Sequence, residues 1–208
     1  METQTVTIIE DIIKEALNSS ISYSAYSEQM LDFSENRRTS GPEQTEALIG
    51  YTELNYRRMK RLDKTIRIDE KSLHEFLNIQ KSITWLVITE AWCGDAAQVL
   101  PVLNKIAEAT PKITLKLVYR DEHPELIDMF LTAGSRSIPK LIALNENDRV
   151  LYTWGPRPTE AAKMVVDFKN LNGLLTPDFK QDLQLWYNKD KGLNIIADQL
   201  ALLNQLRP

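Results

Sequence analysis

The chain of 208 residues contains one cysteine, Cys93, and two histidines, His74 and His123. A single thiol excludes an internal disulfide, so disulfide chemistry at Cys93 must involve another molecule. One thiol and two imidazoles far apart in sequence supply no zinc-ligand spacing, and neither a metal nor another cofactor is expected. Long apolar runs are also missing. None approaches the roughly 18–20 residues that cross a bilayer, and Met1-Glu2-Thr3-Gln4 shows no basic stretch leading into an apolar one. The expectation is a cytoplasmic protein without membrane association. Basic excess is absent: 25 Lys and Arg stand against 29 Asp and Glu, a formal net charge of -4, which excludes the footprint of a nucleic-acid-binding protein. There is no internal repeat and no low-complexity segment. At 43% hydrophobic and 26% charged, the composition suits one sizeable core with extensions.

What is present is periodic. Val6, Ile9, Ile12, Ile13, Ala16 and Leu17 recur at helical spacing, and Ile21 to Phe33 reads as a second, weaker helix. Ser40-Gly41-Pro42-Glu43 reads as a capping box, with Ser40 as N-cap of a long helix whose apolar set is Leu48, Tyr51, Leu54, Met59 and Leu62. Arg57, Arg58, Lys60 and Arg61 interleave with that set as a solvated face; the function they would fit is recognition of an anionic substrate. Thr65 to Ile68 alternates like an edge strand, and Asp69 caps a helix through Leu77 that carries His74 on its surface.

Ile83 to Thr89 is apolar and β-branched, too short for a helix and suited to a central strand. A helical pattern with Pro101 in its interior follows, then the alternating strand Ile113 to Tyr119, which together make a parallel unit with a right-handed crossover. His123-Pro124 opens a helix ended by Gly134. Lys140 to Leu144 and Val150 to Trp154 form an antiparallel hairpin. Further helices start at Thr159, capped by that residue, at Thr176-Pro177 and after Gly192.

Cys93 lies between the central strand and the helix that follows, where unpaired backbone N–H groups and the helix dipole favour a thiolate. From the residues alone two readings stand: a nucleophile, or a small buried side chain at an element boundary.

The order strand, Trp92-Cys93-Gly94, helix with Pro101, strand, helix, Ile138-Pro139, hairpin, helix resembles the thioredoxin superfamily, from about Ile66 to Leu171. The motif Trp92-Cys93-Gly94-Asp95-Ala96 is similar to that of a bacterial group within it. The resemblance implies an α/β thioredoxin-like fold, a central mixed β-sheet flanked by helices, with helical N- and C-terminal extensions. The expected division is 1–65 as N-terminal extension, 66–172 as thioredoxin-like domain and 173–208 as C-terminal extension. By the same resemblance Cys93 is the catalytic nucleophile, and Trp92, Gly94, Asp95, Ile138, a cis Pro139 and Gly155 contact substrate. Arg136, Lys140 and Arg157 would lie in or behind the loops around Cys93, where one of them offsets Asp95 or binds an anionic substrate such as glutathione.

The departures from the family pattern narrow the chemistry. Ala96 stands where a dithiol enzyme has its resolving cysteine, and Val87 where a buried acid is expected. Asp95 adds a negative charge near the thiol, although an acid beside a helix start also serves as a simple cap. One resulting expectation is a monothiol thiol-disulfide oxidoreductase, with Cys93 resolved by an external thiol and acting on a protein disulfide or a low-molecular-weight thiol such as glutathione. The alternative is a non-catalytic peptide- or protein-binding module. A peroxide-reducing or cluster-binding role is a weaker third, because Glu90 replaces the threonine that peroxide chemistry needs three residues ahead of the cysteine. Oligomeric state is not readable from the chain.

Overall fold

The fold is organised on β1 (Ile83–Thr89), which is buried at every position but Thr84 and therefore needs cover on both faces. The structure, a computed structural model, describes residues 2–206, with side chains from Ile8 onward. Met1, Arg207, Pro208 and the side chain of Val6, read above as apolar helix face, lie outside that range. β1 pairs in parallel with β2 (Ile113–Tyr119), Val87 opposite Leu117, and antiparallel with β3 (Lys140–Leu144), Val87 opposite Leu141. β4 (Val150–Trp154) completes the hairpin, with Leu141 opposite Trp154, and the sheet order is β2-β1-β3-β4. The free edge of β2 is covered locally. Ile21 and Leu117 exchange backbone N–H···O bonds of 2.9 Å in both directions, which blunts an otherwise open edge.

Helices α1 (Glu2–Ser19), α2 (Tyr23–Glu35), α3 (Glu46–Thr65) and α4 (Glu70–Leu77) precede β1. α5 (Ala96–Ala109) contains Pro101 and crosses from β1 to β2; a 3-10 turn at Arg120–Glu122 leads to α6 (Pro124–Met129). After the hairpin come α7 (Thr159–Asn172), α8 (Pro177–Asp190) and α9 (Leu193–Asn204). α3 packs on α5 and α2, and α9 packs on α5, α4 and α7. One apolar core therefore runs from Ile13 and Met30 through Trp85 and Leu100 to Ile195 and Leu203, joining terminal helices to the sheet. A separate small cluster of Ala161, Val165, Phe179, Leu183 and Tyr187 holds α7 against α8.

Five local readings of the sequence are corrected. The helix opened by His123-Pro124 ends at Met129, with Phe130 as its C-cap, and does not continue to Gly134. Ser40 is not a helix cap: α3 begins six residues later, capped by Thr45, whose hydroxyl accepts from Leu48 N–H at 3.3 Å. The Ser40 hydroxyl is instead buried, donating to the Glu90 carboxylate and accepting from Ala91 N–H at 2.7 Å. The inward face of α3 is rotated by about one residue from the apolar set. Ile49, Thr52, Asn55, Met59 and Leu62 are buried, whereas Tyr51 and Leu54 face solvent, because Thr52 and Asn55 have buried hydrogen-bond partners that an apolar count does not see. No strand forms at Thr65 to Ile68; α3 continues to Thr65 and Ile66 turns into the core as its C-cap. α7 is capped from a distance, since the Asp198 carboxylate of α9 takes both the N–H and the hydroxyl of Thr159 at 2.9 Å.

The Ser40 correction is testable by urea unfolding. Ser40→Ala, which removes a donor from a buried carboxylate and an acceptor from a buried N–H, is expected to cost about 1–3 kcal/mol. Glu43→Ala, which would break a capping box equally, is expected to stay within about 0.5 kcal/mol. Equal losses in the two variants would restore the capping-box reading.

Candidate functional site

At the carboxyl end of β1 the chain turns through Ala91 to Asp95 before α5 begins at Ala96. Asn55 of α3 fixes this turn by donating its amide to Ala91 O at 2.9 Å. Glu90, fully buried, fixes it from the other side, accepting from Ser40 and from Asp121 N–H at 2.9 Å. Burial raises the Glu90 carboxyl above its ordinary range, and these two donors partly offset the rise. The sequence signal for Glu90 was an acid directly after an apolar strand.

Cys93 is only 7% exposed. Its S–H donates to Ile138 O at 3.4 Å, and its sulfur accepts from Ala96 N–H at 3.4 Å. Burial, and then the nearby Asp95 carboxylate, push the thiol up to about 12, against the smaller lowering effects of the Ala96 and Asp95 N–H groups and of Arg157. The local field therefore opposes the thiolate that the turn's position beside a helix start favours.

Asp95 makes no side-chain cap to α5. Its carboxylate pairs with Arg157 at 2.6 Å and accepts from Tyr187 OH at 2.9 Å, with the Asp95 and Arg157 side chains 11% and 22% exposed. Burial raises the Asp95 carboxyl, chiefly countered by Arg157. Tyr187 comes from α8, read in the sequence only as part of an apolar helix face. α8 is tied across the site by two further contacts: Gln98 Nε2 donates to Gln184 Oε1 at 2.9 Å, and Arg61 donates to Asn188 at 2.6 Å.

The result is a groove of about 760 Å3 that brings Trp92, Cys93, Gly94, Asp95, Ile138 and Arg157 together. Arg136 reaches its rim while paired with Asp128, its Nε 2.6 Å from Oδ1. The Arg120 guanidinium lies 4.9 Å from the Trp92 ring centroid and is paired with Asp121. Pro139, Gly155 and Lys140 do not line the groove. The Ile138–Pro139 bond is cis, the Pro139 carbonyl backs onto Gly155, and Lys140 is buried with its ammonium on Thr132 at 3.2 Å. Burial lowers the Lys140 pKa, and it takes no part in offsetting Asp95. Among the described residues, no group of three or more His, Cys, Asp and Glu side chains could hold a metal ion, and no helix is long and apolar enough to cross a membrane.

A mixed sheet with a Trp-Cys-Gly turn at the end of its central strand, facing an Ile-cis-Pro step, defines a thioredoxin-like protein. The chain belongs to the thioredoxin family, whose profile matches residues 41–171. It is 36% identical to a putative thioredoxin 2 from Streptomyces coelicolor over 75 residues, 36% of this chain and 54% of that protein. It is 38% identical to a thioredoxin from Alicyclobacillus acidocaldarius over 71 residues, 34% of this chain and 65% of that protein. The chain thus spans between about half and two-thirds of these relatives' length. In fold it is similar to a protein of unknown function from Pseudomonas aeruginosa, with a TM-score of 0.64 at 19% identity over 93% of this chain and 98% of that one. An HIV epitope-scaffold matches with a TM-score of 0.60 at 19% identity over 92% of this chain and 97% of the other. Coverage of that extent takes in the terminal helices, so the likeness of fold goes beyond the thioredoxin core.

Proposed function

We propose that this member of the thioredoxin family is a binding module, whose groove holds an extended peptide or small thiol over a Cys93 kept protonated at rest. The observation that carries this reading is the thiol's setting: buried, donating to Ile138 O and next to Asp95, it is pushed up to about 12. Such a thiol is almost wholly protonated at neutral pH, and although its higher basicity restores part of the lost nucleophilicity, exchange is slower than for a thiol of ordinary pKa near about 8.5. Ala96 supplies no second sulfur to resolve a mixed disulfide.

A second reading, the monothiol oxidoreductase, is favoured by one contact, the Ala96 N–H aimed at Sγ at 3.4 Å, which stabilises a thiolate once formed. In that cycle Cys93 yields its proton to solvent and attacks a disulfide R–S–S–R, forming Cys93–S–S–R and releasing R–S⁻. An external thiolate R′–S⁻ then attacks the R-side sulfur of this mixed disulfide, giving R–S–S–R′ and free Cys93 thiolate; the external thiol is the reductant. The pH profile of iodoacetamide alkylation separates the two readings. The binding module is expected to show a rate that climbs without plateau from pH 7 to above pH 10, normalised to the urea-unfolded chain. A plateau below about pH 8 would install the oxidoreductase in its place.

A further inference from the structure

The groove's charge is unbalanced: Arg58, Arg120, Arg136, Arg157 and Lys180 line it with a single carboxylate, Asp95. Arg120, Arg136 and Arg157 are already paired with Asp121, Asp128 and Asp95. Arg58 and Lys180 form no salt bridge among the described residues. Arg58 is half-buried on the inward side of α3, where burial and the neighbouring Arg61 lower its pKa and Asp95, acting through space without a salt bridge, offsets this only in part.

Two donors converge beside the cysteine turn. A Cβ built on Gly94 would lie 3.6 Å from Arg58 Nη1 and 3.6 Å from Gln184 Nε2, with no backbone atom among its near neighbours. The missing side chain leaves a slot between a guanidinium and an amide. Both are oriented by buried amides from behind: Asn55 accepts from Arg58 Nη1 at 3.0 Å, and Gln98 donates to Gln184 Oε1, which leaves the Gln184 NH2 free to face Gly94. A cation and a neutral donor held about one slot apart match the two oxygens of a carboxylate. Cys93, the next residue, puts sulfur on the same wall of the groove.

We propose that the Gly94 slot is a carboxylate site, and that the ligand is a small thiol or disulfide peptide carrying a carboxylate within reach of its sulfur. This deepens the binding-module reading by naming its ligand class, and it assigns recognition to α3 and α8, with Lys180 at the groove as a second charge.

Titration calorimetry with S-methylglutathione, whose capped sulfur cannot exchange, tests the site without using thiol reactivity. Saturable binding to the wild type is expected, weakened at least tenfold by Arg58→Gln and by Gly94→Ala. Gly94 has ordinary backbone angles and room for a methyl group, so Gly94→Ala is expected to melt with the wild type while filling the slot. The dimethyl ester of S-methylglutathione is expected to bind at least tenfold more weakly to the wild type, and the sulfur-free γ-Glu-Ala-Gly at least threefold more weakly. Absence of saturable binding, equal affinity for the ester, or wild-type affinity in both variants overturns the carboxylate site. Equal affinity for γ-Glu-Ala-Gly overturns the thiol class and points to acidic peptide segments in general. A neutral plateau in the alkylation profile would remove the resting-thiol reading and leave these affinities unaffected, so the two failures are distinct.

Discussion

Gly155→Ala is expected to lose more than about 3 kcal/mol of stability, the largest loss among the glycines beside the site. A Cβ at Gly155 would sit 2.3 Å from the Pro139 carbonyl oxygen and 3.4 Å from its carbon, both backbone atoms that no side-chain rotation can move away. The position also has φ +107, where an L side chain is strained even in open space. Gly173 separates the two causes: it has φ +77 with nothing within 4 Å of its Cβ, so Gly173→Ala carries conformational strain alone. With ψ -66 the residue lies in a sparsely populated region, and the expected cost is about 1–3 kcal/mol. Urea midpoints of the two variants decide the matter, and a Gly155→Ala loss no greater than that of Gly173→Ala would rule out the backbone contact. Because the contact lies directly behind Ile138, whose carbonyl receives the Cys93 S–H, partial adjustment should also alter Cys93 alkylation.

Arg157→Leu is expected to cost about 2–4 kcal/mol at neutral pH, because it leaves the Asp95 carboxylate nearly buried without its cation. Partial exposure of Arg157 keeps the figure below that for a fully enclosed pair. The pH dependence has a definite sign. The Asp95 carboxyl is already raised in the folded chain, and removing its chief counter-charge raises it further. The deficit is therefore full above that raised pKa and shrinks as falling pH protonates Asp95. Asp95→Asn tests the same pair from the other side. It removes the charge that, after burial, most opposes the Cys93 thiolate, so the thiol is expected to fall from about 12 and alkylation at fixed pH to rise about threefold per unit of fall, the gain in thiolate fraction being partly offset by its lower nucleophilicity. The double variant should recover much of the stability lost in Arg157→Leu alone, since no unpaired carboxylate remains. Simple additivity, or a pH-independent deficit in Arg157→Leu, would show that the pair carries no coupling.

The strands and most of the helices were legible because each rests on a local period. β1, β2, β3 and β4 begin and end where apolar alternation and turn residues place them, and Asp69 and Thr176 cap the helices they precede. Readings failed where a polar side chain is satisfied from far along the chain. Ser40 looked like a cap because its true partner, Glu90, is 50 residues away, and an apolar set drawn through Tyr51 and Leu54 misses Thr52 and Asn55 because their partners Thr39 and Ala91 are not visible to a helical pattern. The cysteine turn, the Ile-Pro step and the glycine after the hairpin were placed by family resemblance. Arg157 was among three candidates to offset Asp95, and its selection over Arg136 and Lys140 came from geometry: Arg136 pairs with Asp128 and Lys140 points into the core.

By itself the sequence determined that this is an α/β thioredoxin-family chain with one thiol and no resolving partner, since residue order, apolar period and cysteine count are properties of the chain alone. The tertiary structure decided what surrounds that thiol. Burial, the Asp95–Arg157–Tyr187 network and the α8 helix laid across Gly94 join residues up to 127 positions apart, and their electrostatic effect exists only once packing has excluded water from between them.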